Sequence, residues 1–201
     1  MRFKIGSTQF TVSFLFCCVL ALLILFDNAV LLYSFLMVCA HEGAHLLAMT
    51  LCGARVKAVR FEPFGIIIEK EDEDLPLLAL IFISAAGCML NILLAAVFFC
   101  LYLHKQGDVF MTLFSVNVCL FALNILPIYG LDGGQILYLL LQTKGEEFAD
   151  ITVKTVSYVC CALLFVAGMI LCFKVRFNPS ICLISFVLFV QTLLRRVDIE
   201  K

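Results

Sequence analysis

The stretch Cys39-Ala40-His41-Glu42-Gly43-Ala44-His45-Leu46-Leu47 sets three ionisable side chains inside an apolar run, Ala29 to Leu51, long enough to cross a bilayer. A charge at mid-membrane costs roughly 2.5–3.5 kcal/mol on insertion scales, so ionisable groups at that depth usually mark function. On a helix, His41 and His45 stand four residues apart on one face, with Glu42 beside them. This is the H-E-x-x-H pattern: two imidazoles for one zinc ion and a carboxylate to deprotonate the attacking water. A buried hydrogen-bond cluster or the proton relay of a transporter would use the same residue types.

Working outward, composition narrows the class. Of 201 residues, 64% are hydrophobic and 14% charged, and the mean hydropathy is +1.11. These values exclude a soluble globular domain and predict a polytopic helical membrane protein. A net charge of −1 gives no case for nucleic-acid binding. No repeat, low-complexity segment or long linker interrupts the chain, so residues 1–201 are expected to form a single membrane domain. The eleven cysteines lie almost all in apolar segments and form no C-x-x-C pair, as expected of buried free thiols.

The hydropathy pattern predicts an all-α architecture of about six transmembrane helices with a small β-hairpin after the second. The first span runs from Phe10 to Phe26, preceded by Arg2 and Lys4 and followed by no small-x-small cleavage site. Ala29–Leu51 is the second, ended by Cys52-Gly53. Arg55–Glu62 alternates partly, Pro63-Phe64-Gly65 can turn, and Ile66–Ile68 is β-branched, which suggests two short strands. Pro76–Leu103 is the third span, and its Asn91 needs a partner: helix packing, or contact with substrate. Val109–Leu126 is the fourth, ending in Asn124-Ile125-Leu126-Pro127-Ile128-Tyr129-Gly130-Leu131-Asp132-Gly133-Gly134. Pro127 and the three glycines should break the helix, and irregular backbone at membrane depth survives only where protein buries it or water reaches it. Gln142–Lys154 reads as a polar loop, with two more spans over Thr155–Phe173 and Pro179–Leu194.

With six spans, one side receives every lysine and arginine except Lys105, Lys174 and Arg176, eleven of the fourteen. The positive-inside rule then places both termini in the cytoplasm. Spans two and four run in the same direction. His41 lies about 18 Å along its helix from Ala29, past mid-depth toward the cytoplasm, and Asp132 follows the cytoplasmic end of span four.

A catalytic zinc takes three protein ligands and leaves a fourth position open. The remaining histidine, His104, falls on the far side, as do Asp27 and Asp108. Glu62 and Asp132 share the side of His41, and only Asp132 is framed by a helix break. The expected set is therefore His41, His45 and Asp132 as ligands to one Zn2+, with Glu42 as general base.

H-E-x-x-H in a membrane helix, followed by Asn124-x-x-Pro127-x-x-x-x-Asp132-Gly133, resembles the site-2 proteases, which are intramembrane zinc metalloproteases. The resemblance covers residues 35 to 135. His45-Leu46-Leu47-Ala48, Gly53-Ala54-Arg55-Val56 and Pro63-Phe64-Gly65 look most like the branch containing the sporulation sigma-factor-processing protease. Ala86-Gly87-x-x-x-Asn91 matches the family's third-span motif, with Cys88 where a proline is common. The resemblance implies a zinc endopeptidase that cleaves a transmembrane or membrane-associated substrate, such as a pro-sigma factor or other regulatory pro-protein. It also implies a substrate groove lined by Asn124 and Pro127, joined by Asn91, and an inhibitory membrane partner. That branch commonly adds a nucleotide-sensing CBS domain; neither this nor a PDZ-like insertion is expected here. A helical substrate must unwind before cleavage, and the Arg55–Lys70 hairpin is expected to hold the opened segment as an added strand. The rival reading is a metal-ion or proton-coupled transporter. It would show internal repeats or paired half-helices, and the sequence has neither.

Overall fold

A computed structural model describes residues 2–5, 8–12, 28–54, 56–62, 65–70, 75–174 and 180–198. In chain order these form β1 (Arg2–Ile5), β2 (Thr8–Val12), α1 (Ala29–Leu51), β3 (Val56–Glu62), β4 (Gly65–Lys70), α2 (Leu77–Lys105), α3 (Asp108–Asn124), α4 (Asp132–Leu141), α5 (Glu146–Lys174) and α6 (Ser180–Asp198). The chain divides into two compact units, residues 1–121 and 122–201.

In the first unit, α1 begins where the Asn28 side chain accepts hydrogen bonds from the backbone N–H groups of Val30 (3.0 Å) and Leu31 (3.4 Å), a side-chain cap for otherwise unpaired donors. It ends at Cys52-Gly53, where Gly53 takes φ +77°, a left-handed value that suits a residue without Cβ. Small residues let α1 and α2 approach closely: Ala48, Met49, Ala54, Ile83 and Ala86 form the packed seam, with Ala44, Cys52 and Leu75 against it. The strands form one sheet in the order β1-β2-β3-β4. β1 pairs antiparallel with β2, β2 parallel with β3 (Gln9 opposite Ala58), and β3 antiparallel with β4 (Arg60 opposite Ile67), with a register shift between Val56 and Ala58.

In the second unit, Ile128, Cys161 and Leu188 form a buried cluster flanked by Leu126, Leu131, Cys160 and Leu164. Helices α5 and α6 pack on each other, and α4 packs on α5.

The burial pattern is inverted relative to a soluble protein. Asn91, Asn117, Ser157, Ser185 and Thr192 are fully or almost fully buried, while Leu51 (71% exposed) and Leu78 (80%) point outward. Such outward apolar faces suit hydrocarbon rather than water. Among the described residues, three helices are long and apolar enough to cross a membrane, those beginning at Ala29, Leu77 and Glu146, and two shorter apolar helices cover Asp108–Asn124 and Ile181–Leu193.

Three expectations change. The first span cannot begin at Phe10, because Thr8–Val12 is a strand; the rest of that span, 13–27, lies outside the described residues. The expected loop Gln142–Lys154 is helical from Glu146, where α5 starts well before its apolar portion. An unexpected helix, α4, follows the break after span four.

Candidate metal centre

The i, i+4 spacing on α1 turns His41 and His45 toward α2, and both are buried. Each ring is held at its Nδ1. His45 Nδ1 lies 2.7 Å from the carbonyl oxygen of Ile83. A carbonyl only accepts, so Nδ1 carries the proton and the Nε2 lone pair is left for a cation. His41 Nδ1 meets the side-chain amide of Asn91 at 2.9 Å. The two Nε2 atoms converge to 3.2 Å, with the rings edge to face. Two nitrogens each 2.0–2.1 Å from a tetrahedral zinc stand about 3.4 Å apart, so the pair fits that ion. Glu42, half-buried, occupies the position after His41 on the same turn.

In the second unit the break falls at Pro127–Leu131. Ile128 N–H donates to Leu126 O (2.7 Å) and Leu131 N–H to Ile128 O (3.0 Å). Gly130, at φ +96°, makes the turn. Tyr129 N–H donates to the hydroxyl of Ser157 (2.7 Å), which in turn donates to Val153 O (2.6 Å). Asp132 is therefore the first residue of α4, where a carboxylate also complements the positive end of the helix dipole. Replacing Ser157 with alanine adds no atom and removes the hydroxyl that accepts from Tyr129 N–H. The expected loss is about 1–3 kcal/mol of stability, read as a fall in the thermal unfolding midpoint of the purified protein.

His41 and His45, both buried, belong to the first unit, and Asp132, half-buried, opens α4 in the second. Asn124 ends α3 and Pro127 lies in the break. Asn91, expected at the substrate, is fully buried with its amide on His41. Sequence reasoning missed the Ile83 carbonyl, for which no side-chain signal exists. It also missed Ser157, one buried hydroxyl within an apolar span.

Residues 104–167 match the profile of Peptidase family M50. This stretch includes Asn124, Pro127 and Asp132 and lies downstream of His41–His45. The fold matches the site-2 protease from Methanocaldococcus jannaschii, with a TM-score of 0.63 and 20% sequence identity, covering 96% of this chain and 94% of that one. No curated protein matches the chain.

Proposed function

We propose that the protein is an intramembrane zinc metalloprotease of the site-2 type, hydrolysing a peptide bond in a transmembrane or membrane-associated protein. The observation that carries the reading is the buried pair of H-E-x-x-H imidazoles, held at Nδ1 with their Nε2 atoms 3.2 Å apart on an apolar helix. The match of residues 104–167 to a peptidase family and the site-2 protease fold support it from outside the site.

His41, His45 and Asp132 would hold one zinc ion, which when bound supplies Lewis acidity and lowers the pKa of a coordinated water. The remaining steps belong to the chain. Glu42 takes the proton from the attacking water and passes it to the departing amine, the role of a general base that then serves as acid. The packed α1–α2 seam keeps bulk water from the rings. Asn124 and Pro127, at the end of α3 and in the break after it, line the groove for an unwound substrate segment. Six spans with both termini cytoplasmic follow from the lysine and arginine distribution. The residues around His45–Val56 and Pro63–Gly65 favour the sporulation branch, whose substrate class is a membrane-tethered regulatory pro-protein.

The test is cleavage of a membrane-anchored pro-protein by the purified enzyme in lipid vesicles. Treatment with 1,10-phenanthroline is expected to stop cleavage and added zinc to restore it, and Asp132→Ala is expected to purify without stoichiometric metal. Cleavage that persists in the chelator, or wild-type metal content in Asp132→Ala, would refute the proposal.

A further inference from the structure

Helix α2 presents three consecutive positions of one stripe, Ile83, Gly87 and Asn91, to the paired imidazoles. The outer two hold the rings: Ile83 through its carbonyl on His45 Nδ1, and Asn91 through its amide on His41 Nδ1. Between them, Gly87 offers no side chain. A Cβ built there would lie 2.4 Å from His41 Cε1, 2.5 Å from His41 Nε2 and 2.5 Å from His45 Nε2. Carbon atoms do not approach so closely, and the place it would take borders both lone pairs at once. The rings have no cheap retreat, because each is tied at Nδ1 to the same helix.

We infer that the Ile83–Gly87–Asn91 stripe of α2 is a positioning device for the metal: Gly87 keeps the seat between the two Nε2 atoms open, and Asn91 fixes His41 in its metal-binding tautomer. The Asn91 half rests on tautomer chemistry. An imidazole that offers Nε2 to a cation carries its proton on Nδ1, so Asn91 must meet it with its amide oxygen. The second amide atom of Asn91 has no hydrogen-bond partner among the described residues, so presenting oxygen to His41 sacrifices no other bond. Full burial shields this contact from competition by water. The inference rests on the proposed metal function but concerns residues that are not ligands.

Cobalt is the probe, because its visible absorption reports the coordination geometry directly. The full chain is titrated with Co2+, and zinc affinity is measured by competition with a chelator, beside the thermal unfolding midpoint without metal. Gly87→Ala is expected to weaken metal binding by about 100-fold or more, and Asn91→Leu by about 10- to 100-fold, while Asn91→Asp, which retains an acceptor, recovers most of the loss. Metal-free unfolding midpoints of the two Asn91 variants are expected to lie close together, which separates tautomer control from packing. If Gly87→Ala does not fold, the Asn91 pair decides. Wild-type affinity in Gly87→Ala or in Asn91→Leu, or equal losses in Asn91→Leu and Asn91→Asp, would overturn the inference and leave the peptidase reading standing. A wild-type chain that binds neither cobalt nor zinc would overturn both.

Discussion

Replacing Glu42 with glutamine is expected to lower peptide-bond cleavage by about 10²–10⁴-fold while zinc content stays at the wild-type level. Glutamine has the shape of glutamate and cannot accept the proton of the attacking water at neutral pH. Glu42 stands next to His41 in the chain yet is not one of the three proposed ligands. The imidazoles on either side are held from α2, by Ile83 O and the Asn91 amide, and neither contact depends on Glu42. Chemistry should therefore separate from metal binding. Single-turnover cleavage of a vesicle-embedded substrate, with metal quantified on the same sample, makes the measurement. A variant that cleaves within about tenfold of wild type removes Glu42 from the base role.

The second large effect concerns stability. Gly133→Ala and Gly134→Ala are each expected to cost about 3 kcal/mol or more, near the upper end for forced overpacking, and to abolish cleavage with it. A Cβ at Gly133 would lie 2.1 Å from the carbonyl oxygen of Ile125, and one at Gly134 2.1 Å from that of Ile128. Both obstacles are backbone, so no side chain can swing away to make room. The first turn of α4 would have to lift off the 125–129 segment and carry Asp132 with it. Thermal unfolding of the two variants beside Gly130→Ala, where the nearest atom is 4.0 Å from the Cβ position but φ is +96°, separates the effects. Midpoints for Gly133→Ala and Gly134→Ala equal to wild type would show that the close approach does not constrain this unit.

These glycines also show where the sequence could and could not be read. Pro127 and Gly130 do interrupt the helix, as their chemistry dictates. Gly133 and Gly134, grouped with them as breakers, instead lie inside α4 and permit contact between backbones. Composition cannot distinguish these two uses of glycine, because both need only the missing side chain. His41 and His45 were legible because the site is written in side chains at helical spacing. The carbonyl of Ile83 was not, since every residue has one. Thr8-Gln9-Phe10-Thr11-Val12 has the alternation of a strand, but its apolar residues merge into the long run that follows. Glu146–Lys154 looked like a loop because charge marks the end of a span, although a helix can continue past the bilayer into water.

The parallel pairing of β2 with β3 bears on the order of assembly. Gln9 waits for Ala58, and all of α1 is synthesised and placed between them. A ladder with so wide a gap in the chain forms late, after the closure entropy of the intervening segment has been met by other contacts. The histidine-bearing helix must therefore find α2 or lipid before the strands on either side of it can zip together, and a nascent chain halted ahead of residue 56 would have no β3 to close the sheet.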